Sequence, residues 1–142
     1  MEKQLNELLS DVIVESHKIL NYHWYMKGKN FSSMHKITEE LYNYFIKMSD
    51  EIGELMLMMG YMPVANLKDI LYIAHIKELR SQYIEESIII EGMIIDFKYL
   101  LDNMKNIKSL ADETENDIVV IKLDEYIYYL SKQFWMLNQS KN

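Results

Sequence analysis

Residues 31–60, FSSMHKITEELYNYFIKMSDEIGELMLMMG, carry the pattern that decides the architecture. Leu41, Phe45, Met48, Ile52, Leu55 and Met59 recur at spacings of three and four, which puts them on one face of an α-helix. At about 100° per residue they all fall within roughly 40° of Leu41. His35, Glu39, Asp50 and Glu54 fall at roughly 120°, 160°, 180° and 220°, on the opposite face. Ile46, Gly53 and Leu57 share that second face. Apolar residues among charges make a poor solvent surface and a natural subunit contact. The helix therefore reads as packed on both sides.

The second face has a chemistry of its own. His35/Glu39 and Asp50/Glu54 are i,i+4 pairs, so each pair points its side chains the same way and is able to grip one ion. His23, at the end of the preceding apolar stretch, reaches the same cluster from the His35 side. Two imidazoles and three carboxylates suit iron, manganese or zinc, and the lack of thiolates argues against a soft metal. Taken singly, such residues serve far more often as structural or solvated surface groups than as ligands. Their shared face is what sets them apart. Glu39 and Asp50 are separated by roughly 16 Å along a helix, so one chain's two pairs cannot hold the same ion. A two-fold axis near the helix middle would lay two copies antiparallel and bring one copy's His35/Glu39 beside the other's Asp50/Glu54.

Three more stretches have helical spacing. Leu5, Leu9, Val12 and Ile19 mark the first, Ile90, Ile94, Phe97 and Leu101 the third, and Val120, Leu123, Ile127, Leu130, Phe134 and Leu137 the fourth. KGKNFSS (27–33) joins the first two, with Ser32 or Ser33 expected as N-cap. GYMPVAN (60–66) stops the second with a Gly and then a Pro. Residues 67–75 suit a short extra helix, and NIKSLADETEND (106–117) is expected to link the third helix to the fourth. The expectation is a single all-α domain over 1–142, a four-helix bundle with a short helix in its middle connection.

Composition agrees and excludes alternatives. One Pro and four Gly in 142 residues give little turn punctuation, and 49% hydrophobic content supplies a core. Cysteine is absent, which fits a reducing compartment, so a cytoplasmic location is expected. The richest apolar run, 88–101, is broken by Glu91, Asp96 and Lys98 and does not reach membrane-spanning length. Net charge is −7 with a single arginine, Arg80, a balance that disfavours nucleic acid. His17 and His75 lack carboxylate companions at ligand spacing and are expected to be structural or surface residues. Met56, Met58, Met59 and Met62 read as packing, as do Tyr126, Tyr128 and Tyr129 with wet ends. Glu-x-x-His on two helices, the bundle-core di-iron signature, is absent.

Tyr22-His23-Trp24 through Gly28 and Phe31 to His35 resembles the HWxxxGxxFxxxH hallmark of the Dps family, the ferritin-like mini-ferritins. The likeness continues in Asp50-Glu51-Ile52-Gly53-Glu54, similar to the family's DExxE element, in residues 60–67, similar to its GGxPxAxL turn, and in Trp135-Met136-Leu137. The resemblance implies a ferritin-like four-helix subunit in a hollow homododecamer. It also implies oxidation of iron, Fe2+ to Fe3+, at two-fold interfaces, two ions per site, with hydrogen peroxide favoured over oxygen and ferric mineral stored inside. The implied ligands are His23, His35 and Glu39 of one subunit with Asp50 and Glu54 of its partner.

The resemblance further implies a possible electron-donor role for Trp24 and, through a looser loop match, pore carboxylates at Asp112 and Asp117. Three positions depart from the family pattern. Glu39 replaces the usual Asp, Gly53 the usual Ala, and Leu55 the usual Arg. Lys3 is the only lysine or arginine before Lys18, and only Lys132 and Lys141 follow in the last stretch, so DNA binding is expected to be weak. The alternative from another class is a helical shell or nucleoid-associated protein whose metal site is vestigial or structural.

Overall fold

The structure is a computed structural model and describes residues 1–141. Its main helices are α1 (Glu2–Tyr25), α2 (Phe31–Met58), α4 (Glu86–Glu113) and α5 (Asp117–Gln139), with the short α3 (Leu67–Ile73) in the middle connection. α1 packs on α2 and α4 on α5, as two hairpins. Leu5, Val12 and Ile19 of α1, Leu41, Phe45, Met48 and Ile52 of α2, Met93, Phe97 and Leu100 of α4, and Leu123 and Leu130 of α5 fill the space between them. Phe45 and Phe97 meet across the bundle with ring centroids 5.5 Å apart. The face of α2 expected to be apolar is thus the one that is buried.

α2 ends far from the start of α4, so the connection between them must travel back along the bundle. α1 holds it in place. Glu2 accepts from the Met62 N–H at 2.8 Å, and Asn6 accepts from the Val64 N–H at 2.8 Å while donating to the Met62 carbonyl. Asp11 Oδ1 accepts the His75 and Ile76 N–H groups at 2.7 and 2.9 Å, and the Asn21 amide donates to the Leu79 and Arg80 carbonyls. Polar side chains along α1 thereby satisfy backbone groups that the non-helical connection leaves unpaired. Asn66 caps α3 by accepting the Asp69 N–H at 2.8 Å.

Three sequence expectations need correction. The chain forms a two-residue parallel pair, β1 (Met26–Lys27) with β2 (Ile84–Glu85), which a helical reading cannot foresee. The cap of α2 is Asn30 rather than Ser32 or Ser33, and its side chain makes no capping bond because it is turned to Glu86. Glu86 also accepts the Asn30 N–H at 3.2 Å, and a Cβ on Gly28 (φ +155°) would lie 2.6 Å from the Glu86 carboxyl carbon. Any other residue would be strained at that φ and would push the Glu86 carboxylate off Asn30. Finally, residues 106–113 are not linker. Ile107 and Ala111 keep the buried spacing, so α4 runs on to Glu113 and the turn is only 114–116, with Glu115 at φ +55°. Tyr128 is 75% exposed, unlike Tyr126 and Tyr129, and Met58 and Met62 are exposed while Met56 is buried. Among the described residues no helix is long and apolar enough to cross a membrane.

Candidate metal centre

His23 closes α1 and His35 opens α2, and the short turn between them folds the two imidazoles face to face. Their ring centroids are 3.6 Å apart and their planes differ by 16°. His23 Nδ1 lies 2.8 Å from the His35 carbonyl, and His35 Nδ1 lies 3.0 Å from the His23 carbonyl. A carbonyl only accepts, so both Nδ1 atoms carry the proton. Both Nε2 atoms are then bare lone pairs, the state in which imidazole binds a metal. His23 is buried, with Tyr42 edge-on at 5.4 Å, and Phe31 stacks on His35 at 5.1 Å. Burial, and then the neighbouring His35, lower the pKa of His23, so it remains the neutral ligand form at neutral pH.

Thr38 completes this support and was not singled out from sequence. It is fully buried, its hydroxyl donates to the Met34 and His35 carbonyls at 2.9 and 3.0 Å, and its oxygen stands 3.0 Å from His23 Nδ1. The available signal was a polar residue one turn after His35 on the inward side of α2.

Glu39 follows His35 by one turn, is exposed, and lies close enough for its charge to act on His23. Asp50 and Glu54 are also exposed but sit further along α2, roughly 16 Å or more from Glu39 at 1.5 Å per residue. Within one chain, among the described residues, no three His, Asp or Glu side chains converge on a common point. The structure thus stacks His23 on His35, with Glu39 one turn further along α2, and leaves Asp50 and Glu54 apart from all three. Around the latter two lies a shallow trough of about 440 Å³ lined by Leu9, Ile13, Ile46, Gly53, Leu57 and Val64. Ile46 and Leu57 are 52% and 61% exposed, and a Cβ on Gly53 would meet nothing within 4 Å.

Other expected site residues fall elsewhere. Trp24 is 63% exposed and lines a small cleft with His17, Asn21, Tyr25 and Ser81, so it does not stack on either imidazole. Asp112 and Asp117 are exposed on either side of the 114–116 turn. His75 lies at the surface, as expected, with its Nε2 3.3 Å from Glu7. Leu55 is buried, so the position where the family pattern has Arg is core in this chain.

The arrangement of the helices defines a ferritin-like bundle, and the family described as "Ferritin-like domain" matches residues 2–140. The "DNA protection during starvation protein" of Helicobacter pylori is 30% identical over 133 residues, 94% of this chain and 92% of that protein. "DNA protection during starvation protein 2" of Bacillus anthracis is 32% identical, covering 97% and 94%. The crystal structure of Dps from Staphylococcus aureus superposes with a TM-score of 0.94 at 29% identity over 99% of this chain and 94% of that one. That of Vibrio cholerae, described as a member of a broad superfamily of ferritin-like diiron-carboxylate proteins, gives 0.93 at 30% identity, covering 97% and 86%. The chain belongs to the Dps family. Membership supports iron storage and protection as its broad role.

Proposed function

We propose that this protein is an iron-storing ferroxidase whose sites are each shared by two subunits. His23, His35 and Glu39 of one subunit and Asp50 and Glu54 of its two-fold partner would hold the substrate, Fe(II), with two ions per site. The observation that carries this reading is the pair of locked imidazoles, both Nε2 atoms free, at one end of a face whose other end carries two exposed carboxylates. The open trough across Gly53 gives a second copy room to lie antiparallel. Its apolar rim suits burial against an identical surface.

The chain's own groups divide the work. Neutral imidazoles bind Fe(II) without adding charge, while three carboxylates favour the more highly charged ferric product. In the overall reaction two Fe(II) ions each give one electron to hydrogen peroxide. The O–O bond breaks, two protons are taken up, and two waters and two Fe(III) result. The oxidised iron would then pass to the interior of a closed homo-oligomeric shell, twelve subunits by family likeness, in the cytoplasm. Asp112 and Asp117 are candidate entry carboxylates, and Trp24 a candidate reserve of one electron. The shell's acidic balance makes duplex DNA a poor partner.

The shared site has a decisive test. His35→Ala and Glu54→Ala shells should each be inactive in peroxide-driven Fe(II) oxidation. In shells reassembled from a mixture, a pair made of one subunit of each kind has one doubly defective site and one intact site. Part of the activity should therefore return. Correctly assembled mixed shells that recover none would defeat the proposal.

A further inference from the structure

The packing between α1 and α4 contains more charge than the core needs. Glu15 has no solvent exposure, and neither of its carboxyl oxygens has a hydrogen-bond partner when the group is taken as ionised. Asp96 on α4 is 8% exposed, and its Oδ2 lies 2.8 Å from Lys18 Nζ. Asp11, one turn before Glu15, is fully buried as well. Its Oδ1 serves the His75 and Ile76 amides, while its Oδ2 is unpartnered.

Every neighbouring element matters to the charge balance. Asp96 faces Glu15 from α4, Lys18 and Asp11 face it from its own helix, and the Tyr22 phenol feels both Glu15 and Asp96. His75, in the crossover, and Tyr99, on α4, act on Asp11. α2 turns Leu41, Phe45, Met48 and Ile52 inward. α5 contributes Val119, Leu123, Leu130 and Tyr126, whose hydroxyl is engaged by Glu51. Lys18 pairs with Asp96, and its weaker pull on Glu15 is outweighed by burial and by the Asp96 charge. A lone ionised carboxylate in such a place takes up a proton instead. A protonated Glu15 has one donor, and the Asp96 carboxylate is the acceptor beside it. A metal cation in the proton's place would need converging ligands, and among the described residues no three of His, Asp and Glu converge.

We propose that Glu15 is a neutral carboxylic acid in the folded subunit and donates its proton to Asp96, so that a Glu15–Asp96–Lys18 chain joins α1 to α4 and is opened by alkali. Burial first, and then the charge of Asp96, raise the Glu15 pKa well above the usual glutamate range. The folded chain keeps a proton that the unfolded chain releases near its ordinary value. Stability from this group is therefore complete at low pH, declines as pH rises towards the folded pKa, and levels off above it. Ionised Glu15 would set two carboxylates against one ammonium in a closed core.

The test is thermal unfolding of the assembled protein between about pH 5 and pH 9, comparing wild type with Glu15→Gln and Glu15→Leu. The Tm of both variants relative to wild type should climb with pH. The infrared carbonyl band of an undissociated carboxylic acid should persist in wild type at neutral pH, where exposed carboxylates are ionised. It should vanish in Glu15→Gln. Parallel Tm profiles, or absence of that band from wild type, would overturn the proposal. So would a wild-type Tm that depends on one particular cation at fixed ionic strength and loses that dependence in Glu15→Gln, which would put a cation where the proton is assigned. Should neither variant assemble, the same infrared measurement on Asp11→Asn, which keeps Glu15 and removes the other buried carboxyl, decides: the band should remain, and its absence would overturn the proposal.

Discussion

His23 and His35 exchange Nδ1–H bonds with each other's backbone carbonyl, at 2.8 and 3.0 Å, so neither ring turns over without breaking the other's support. The pair fixes the tautomer before any metal arrives. Binding then costs little reorganisation on this half of the site.

Thr38 adds the third contact to that pair, and its removal should be felt by the metal. Thr38→Val keeps the shape but loses the hydroxyl beside His23 Nδ1. Metal affinity should fall about tenfold, the lower end of the usual range for such supporting residues, because the His35 carbonyl still accepts. Thr38→Ser should restore it. Anaerobic titration with cobalt(II) measures both. Unchanged affinity in Thr38→Val would mean the hydroxyl serves only the helix backbone.

Gly53 offers a contrast between two substitutions. Its Cβ position is open in the single subunit, and glycine inside a helix costs about 0.5–1 kcal/mol relative to alanine. Gly53→Ala should raise subunit stability by that order. Gly53→Trp should leave helical content intact while blocking the trough to a second copy. Circular dichroism and size-exclusion chromatography together check this, and a full-sized Gly53→Trp assembly would place the subunit contact elsewhere.

Asp11 holds the crossover through two amides, and the two kinds of substitution should separate its geometry from its charge. Asp11→Ala leaves buried N–H groups without acceptors, at about 1–3 kcal/mol. It should also expose 74–83 to proteolysis. Asp11→Asn keeps an acceptor oxygen. The Asp11 pKa is raised, chiefly by burial, so the wild-type residue contributes most when protonated and loses stability as pH rises. Asp11→Asn should therefore gain on wild type with increasing pH in denaturant titrations. A stability of Asp11→Asn that falls relative to wild type as pH rises would contradict the burial argument.

Duplex DNA should not be shifted in a gel by micromolar protein at physiological salt without divalent metal. Net charge of −7 per chain leaves few cations to displace counterions from phosphate. A clear shift would require a basic surface that the charge balance does not reveal.

The three-and-four spacing of Leu41 to Met59 was enough to orient α2, and with it the outward face that carries His35, Glu39, Asp50 and Glu54. That inference needed only helical geometry, and Leu41, Phe45, Met48, Ile52 and Leu55 are buried as it requires, while Met59, the C-cap, is only partly buried. Pairings between distant segments were not legible in the same way. Nothing local in Met26–Lys27 signals that it pairs with Ile84–Glu85, because two-residue ladders are set by where the helices arrive. The reach of α4 past Asn106 was obscured by its charges, although Ile107 and Ala111 keep the buried spacing. Glu15 shows a further limit. Polar residues at core positions look like surface in a sequence, and only packing reveals that Glu15 has no exposure.

The β1–β2 pair also bears on the order in which the molecule assembles. It ties the end of α1 to the start of α4, segments separated by the whole of α2 and the crossover, and the Glu86 carboxylate grips Asn30 beside it. Contacts of such long range are the slow ones, whereas the α1–α2 and α4–α5 hairpins close locally. The turn that presents His23 and His35 is consequently fastened only when the second hairpin docks on the first. Competence to bind iron would then come late, after both hairpins have docked and the partner subunit has joined, and a half-folded subunit would be unable to capture the redox-active metal that it is proposed to keep out of harm's way.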